Sequence, residues 1–279
     1  MISDLIISKS LTELLQHRAE LGSRSLFIAG GTEINRLDSP HSDGSFIGLS
    51  MENLGLDEIR ETEAGITIGA MVTLQQLIDS PVIPDYIKAA AGFAGSRTLR
   101  NMATIGGNIA SCRDDSYLLP TCIAAKARIH TIDIDRKGEI LNEDIPIREY
   151  VENFENFSGC CLSEIFIKKQ DRFVKTRRYS RTAQRTPDAL ISFGSDLKEG
   201  VLTDVRIAVG SLGCGIKRLP IIEQSVMNRD LQNEEQCLMA VKKVIEPADD
   251  ITGSSEYKQY LVGITITDLM NEALGGHER

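Results

Sequence analysis

Apolar residues follow helical spacing in some stretches of the chain and alternate with polar ones in others, and each period predicts its own element. Ser10, with Glu13 three positions on, opens a helix in capping-box chemistry, and Leu11, Leu14 and Leu15 form its apolar stripe. Leu26, Phe27, Ile28 and Ala29 then make a short buried strand that stops at a glycine pair. Strands are expected over 46–49 and 66–69, the second an apolar–polar alternation. Thr73 and Gln76 give another capping box ahead of Leu74, Leu77 and Ile78, and Pro81 and Pro84 punctuate the exit. A helix opening at Asp85 carries Tyr86, Ile87 and three alanines, after which 95–102 leads into a second glycine pair. A further helix is expected over 116–125, where Pro120 is tolerable only in the first turn. Strand 128–134, turned by Asp135, Arg136, Lys137 and Gly138 into 139–141, and strand 162–168 complete this half.

The character changes near Lys169, Gln170 and Asp171. Strands over 173–179, 189–193 and 203–209 read as an antiparallel meander with polar turns. Two helices follow, 233–245 stopped by Pro247, and 255–274 with Tyr257, Tyr260, Leu261 and Ile264 at helical spacing. The order predicts an α+β chain: a mixed first domain over 1–168, then a smaller sheet-plus-helices domain over 169–279.

Charge narrows the functional classes. A net charge of −9 argues against nucleic acid, since phosphate contacts need clustered cations. The one basic cluster, Lys175, Arg177, Arg178, Arg181 and Arg185, is local and reads as a solvated strand face. No apolar run reaches membrane-spanning length, and the start is acidic rather than signal-like, so a cytoplasmic location without membrane insertion is expected. The six cysteines include adjacent Cys160 and Cys161 but no C-x-x-C pair, which fits reduced structural thiols. His17, His41, His130 and His277 are scattered, and no metal cage is read from them.

The chemistry sits in the two glycine pairs, Ala29-Gly30-Gly31-Thr32 and Thr104-Ile105-Gly106-Gly107-Asn108. Adjacent glycines permit positive φ and let several amides converge, a concavity that suits phosphate oxygens without a cation. Two such bends suit the two ends of a diphosphate. Thr32 and Thr104 add hydroxyls and Asn108 an amide, while Glu33 is compatible with phosphate only if turned away, toward ribose or adenine groups. No GxGxxG and no GxxxxGK[ST] is present, which disfavours a Rossmann nicotinamide site and a P-loop.

The segments Phe27-Ile28-Ala29-Gly30-Gly31-Thr32-Glu33-Ile34 and Arg100-Asn101-Met102-Ala103-Thr104-Ile105-Gly106-Gly107-Asn108-Ile109-Ala110 resemble the two flavin signatures of the FAD (medium) subunit of molybdenum hydroxylases, the xanthine dehydrogenase and carbon monoxide dehydrogenase flavoprotein type. Gly253-Ser254-Ser255-Glu256-Tyr257-Lys258 resembles that family's C-terminal helix signature, Gly-Ser-Ala-Glu-Tyr-Arg. The resemblance implies a two-subdomain, vanillyl-alcohol-oxidase-like (PCMH-type) FAD-binding domain, then a small antiparallel-sheet-plus-helices domain. By position it implies that residues 27–34 with Thr104, Ile105, Gly106, Gly107 and Asn108 wrap the FAD diphosphate. Leu162 falls where the family packs an apolar side chain near the flavin ring, and Arg178 where many members place a basic residue. After the second pair the family often has Ser-Pro-x-x-Asp; here Tyr117 takes the place of that Asp, with Asp114 and Asp115 nearby but out of register, which marks a divergent member.

The implied role is electron transfer. Such a subunit receives electrons from a partner [2Fe–2S] subunit, itself fed by a large molybdopterin-binding subunit, and passes them to NAD or another acceptor. No general acid, base or metal ligand is assigned. Two other readings stay open: a self-contained flavin reductase or oxidase on the same domain, and an assembly module without cofactor.

Overall fold

The computed structural model describes residues 2–36, 39, 44–135, 137–157, 159–182 and 185–275; His41, His277 and Arg136 of the expected turn lie outside them. In chain order come β1 (Asp4–Ile7), α1 (Leu11–Leu21), β2 (Ser25–Ile28), β3 (Ile47–Ser50), β4 (Ile59–Glu61) and β5 (Gly65–Gly69). Helices α2 (Leu74–Asp79), α3 (Asp85–Gly92), α4 (Arg97–Met102), α5 (Ile105–Ala110) and α6 (Leu119–Ala124) follow. Next are β6 (Arg128–Ile134), β7 (Ile140–Pro146), α7 (Ile147–Glu152), α8 (Phe154–Phe157), β8 (Cys161–Lys168), β9 (Phe173–Tyr179), β10 (Ala189–Lys198), β11 (Val201–Gly210) and β12 (Lys217–Arg218). Helices α9 (Pro220–Met227), α10 (Glu234–Val244) and α11 (Ser255–Gly275) close the chain.

These elements fall into two compact units. The first takes residues 1–83, 96–111 and 128–169; the second takes 84–95, 112–127 and 170–279.

In the first unit, β1, β3 and β2 form a parallel sheet in that order, and a five-stranded sheet runs β4-β5-β8-β6-β7 with every pairing antiparallel. Period-two patterning decides its faces. Ile66, Ile68, Ile129, Ile165 and Ile167 are buried on one side, each apolar side chain contributing roughly 1.5–3 kcal/mol. The other side is half-exposed and polar. It carries His130 in register between Asp144 and Glu164, with Arg128 on Asp144 at 3.0 Å and Arg60 on Glu164.

Both expected capping boxes form caps, in two ways. Thr73 and Gln76 exchange reciprocal hydrogen bonds, whereas Ser10 caps Glu13 N–H while the Glu13 carboxylate reaches Lys9 N–H. Residues 97–102 of the expected approach and the second glycine pair, expected as a bend, are helical as α4 and α5. The helix expected over 116–125 begins only at Leu119, because Pro120 must lie in its first turn.

In the second unit the sheet order is β12-β11-β10-β9, antiparallel throughout, as the meander pattern predicts. Ala189, Ile191, Phe193, Val205, Ile207 and Val209 pack into one core with Leu261, Val262, Ile266 and Leu269 of α11. Helix α6 also packs on β10 and β11, so residues 189–195 are buried on successive positions and strict alternation is lost.

Candidate functional site

The two glycine signatures, some seventy residues apart in sequence, meet in the first unit, and backbone contacts hold them together. A Cβ added to Gly30 would stand 1.7 Å from the Met102 carbonyl oxygen, so the first bend lies directly on the end of α4. One added to Gly107 would stand 3.9 Å from the Ala29 Cβ. Only a residue without a side chain permits the first approach.

The segments divide the work unequally. In the second, every amide from Ile105 to Asn108 is already taken. Ile105 N–H donates to Val72 O at 2.9 Å, Gly106 N–H to Ala70 O at 2.9 Å, Gly107 N–H to Thr104 Oγ1 at 3.0 Å and Asn108 N–H to Thr104 O at 3.0 Å. Thr104, itself buried, is the N-cap of α5. The expectation of an amide-lined second bend is therefore corrected: two tertiary carbonyls, the capping hydroxyl and the Thr104 carbonyl consume those donors. Gly106 is a packing glycine, since a Cβ there would meet Ala70 Cβ at 2.5 Å; Gly107 meets only the Thr104 hydroxyl at 3.1 Å and that Ala29 methyl.

The first segment keeps its donors. Phe27 and Ile28 end β2, and Met51 N–H closes on Ile28 O at 2.9 Å. Gly31 then takes φ +68°, the left-handed region, and the chain turns through Thr32, Glu33 and Ile34. Among the described residues the amides of Gly30, Gly31, Thr32 and Ile34 donate to no acceptor. All of residues 27–34 are half-buried. Glu33 lies 3.8 Å from Arg36, which places a cation beside its carboxylate. A half-buried bend rich in amide donors, with open space at Gly31 and Gly107, fits a diphosphate.

Leu162 is 5 % exposed on β8, opposite Thr131. Its neighbour Ser163 accepts from Ala70 N–H at 2.8 Å, and Ala70 O accepts from Gly106, which ties this strand to the second signature. Arg178 belongs to the second unit, on β9, where its guanidinium donates to Thr182 O and Arg185 O. Asp114 is committed elsewhere: its carboxylate takes Ser211 N–H at 3.0 Å and Gly213 N–H at 2.7 Å, while Asp115 takes Arg113 at 2.9 Å.

Sequence reasoning missed the packing roles of Met102 and Ala70, which act through backbone atoms and leave no side-chain signal. It also missed Asn35, whose Nδ2 donates to Gly31 O at 2.9 Å; an Asn four residues past a glycine turn is the signal that was available.

The C-terminal signature is structural. The Tyr257 ring covers Gly253, Ser254 Oγ caps Tyr257 N–H, and Lys258, 1 % exposed, donates to Ala248 O at 2.8 Å and Asp250 Oδ2 at 2.7 Å. Burial raises the Asp250 carboxyl, but hydrogen bonds from Lys258 and Thr252 outweigh it and hold its pKa down at about 2. A depressed carboxyl adds stability above its unfolded pKa, about 3.9, and that stability is lost as pH falls through about 2. In a carboxyl-carbon NMR titration Asp250 therefore stays ionised to about pH 2, and Lys258→Met moves its midpoint upward. An unchanged midpoint in the variant would remove Lys258 as the cause.

The six cysteines are free. Burial pushes the Cys122 and Cys161 thiols up to about 12, and burial with the neighbouring Asp133 does the same to Cys160, so these three stay protonated at neutral pH. Among the described residues no group of three or more His, Cys, Asp or Glu side chains is arranged to hold a metal, and no helix is long and apolar enough to cross a membrane.

Comparison with known proteins bears on the family and the fold. The family model for the FAD binding domain in molybdopterin dehydrogenase matches residues 2–166. The YgfM protein of Escherichia coli K12 is 29 % identical over 273 residues, 96 % of this chain and 95 % of that one. The nicotine 6-hydroxylase medium subunit of Paenarthrobacter nicotinovorans is 24 % identical over 255 residues, 89 % of each. Among solved structures, CO dehydrogenase from Oligotropha carboxidovorans superposes with a TM-score of 0.85 at 17 % identity, over 99 % of this chain and 98 % of that one. Quinoline 2-oxidoreductase from Pseudomonas putida 86 gives 0.81 at 18 % identity, over 100 % and 99 %. At such identities the structures speak for the fold; the family match, running over more than half of the sequence, shows that the chain belongs to the FAD-binding domain family of molybdopterin dehydrogenases, with FAD as its cofactor.

Proposed function

We propose that the chain is the FAD-binding electron-transfer subunit of a multi-subunit molybdenum hydroxylase, partnered by a [2Fe–2S] subunit and a large molybdopterin-binding subunit in the cytoplasm. The observation that carries the cofactor placement is the seating of Gly30 on the Met102 carbonyl, which brings both signatures to one place. In this reading the amides of Gly30, Gly31 and Thr32 donate to the diphosphate, and Gly107 leaves room for it beside Ala29. Thr104 holds α5 in place from below rather than touching phosphate. Glu33, drawn toward Arg36, stays off the phosphates and faces the sugar side. Leu162 contributes an apolar wall that excludes water from the ring. FAD held there supplies both one-electron and two-electron chemistry, which is what links an iron–sulfur donor to a two-electron acceptor such as NAD. The medium-subunit relative, matched over 89 % of its length, supports the multi-subunit part of the reading.

Isolation of the native complex under mild salt tests it. Iron–sulfur and molybdopterin chains should co-purify with a yellow protein that releases FAD on denaturation, and NADH should bleach it. A chain that takes up FAD yet elutes alone from its native cell would overturn the partner assignment, and a colourless chain after incubation with FAD would overturn the site.

A further inference from the structure

The Gly31 carbonyl oxygen is captured twice by one residue. The Asn35 backbone N–H donates to it at 3.3 Å and the Asn35 carboxamide Nδ2 at 2.9 Å. Asn35 is exposed, so packing does not account for this arrangement. The bend thereby sorts its polar groups: its one carbonyl at the left-handed position accepts two hydrogen bonds from Asn35, while four nearby amides keep their hydrogens available. That sorting matters for an anion. A loose carbonyl dipole beside a phosphate repels it, and a carbonyl already accepting two hydrogen bonds is held in place and partly neutralised.

We infer that Asn35 is a positioning residue for the cofactor diphosphate, holding the Gly31 carbonyl out of the cradle so that the bend presents donors alone. The inference rests on the FAD placement proposed above. The residue type fits the task. An Asn carboxamide offers a donor without charge, whereas an Asp at the same position would set a carboxylate oxygen against the carbonyl.

The test uses the full chain with FAD and, separately, ADP, which carries the same diphosphate without the flavin. In Asn35→Ala the FAD dissociation constant should rise about tenfold, equivalent to about 1.4 kcal/mol, and the ADP constant by the same factor. Asn35→Asp should lose more. The thermal midpoint of the cofactor-free chain should not move in either variant, because the side chain is exposed. FAD binding within twofold of the parent in Asn35→Ala, or a loss seen with FAD and not with ADP, overturns the inference. Gly107→Val separates the two levels. If that variant binds FAD fully, the placement itself is wrong; if it binds none while Asn35→Ala is neutral, only the role of Asn35 falls.

Discussion

Gly30→Ala and Gly107→Val should both abolish FAD binding, by two routes that a thermal melt tells apart. In Gly30→Ala the new methyl carbon would lie 1.7 Å from the Met102 carbonyl oxygen and 2.6 Å from its carbon. Both are backbone atoms at the end of α4, so no side-chain rotation relieves the clash. The two signatures must part, at an overpacking cost of roughly 1–3 kcal/mol or more, and the cofactor-free chain should melt lower. In Gly107→Val the obstacle inside the protein is small: the Thr104 hydroxyl at 3.1 Å gives way by tenths of an ångström. Gly107 sits within α5, where a valine is no worse than a glycine. The cofactor-free chain should therefore melt near the parent value, yet the valine fills the space beside Ala29 that the diphosphate needs. Flavin fluorescence quenching on titration with FAD reads both. A Gly107→Val chain that quenches FAD like the parent would put the cofactor elsewhere. Gly106→Ala is the contrasting control: its methyl meets Ala70 Cβ at 2.5 Å and should lower the melt first.

That contrast also marks what the sequence can and cannot reveal. The segments 128–134 and 173–179 match β6 and β9 end to end, each a short run set off by polar turn residues. Helices α4 and α5 were hidden. Each has six residues, and α5 contains the Gly106-Gly107 pair that local propensity assigns to a bend. What makes it a helix is the Thr104 cap together with the carbonyls of Ala70 and Val72, which arrive from the end of β5 and the turn beyond it. The insertion of β8 between β5 and β6 is equally non-local, as is the packing of α3 and α6 on the sheet of the second unit. For the site, the glycine pairs announce a phosphate cradle by type. Which glycine packs and which faces the ligand depends on the positions of Met102 and Ala70, and no local pattern encodes those positions.

The same reasoning places the second large effect in the second unit, at Glu223. This carboxylate is 1 % exposed in the second unit, on the first turn of α9. One oxygen accepts Arg218 Nε at 2.8 Å and Ile207 N–H at 2.8 Å; the other accepts Arg218 Nε at 3.0 Å and the terminal guanidinium nitrogen. A single buried side chain therefore joins β12, β11 and α9. Removing one partner of a buried pair leaves the other charge desolvated and uncompensated, a loss of about 3–5 kcal/mol. Glu223→Ala should cost that much in urea unfolding followed by circular dichroism, a large share of the roughly 5–15 kcal/mol that holds a native protein together. Glu223→Gln should cost less, because the amide oxygen still accepts Ile207 N–H. The double variant Arg218→Met with Glu223→Leu should recover part of the loss, since no stranded charge remains and the volume is kept, while the Ile207 N–H loses its acceptor. An exposed ion pair behaves otherwise, at about 0–1 kcal/mol. If Glu223→Ala unfolds within about 0.5 kcal/mol of the parent, the pair lacks the buried character described, and the β11–α9 junction is held by apolar packing alone.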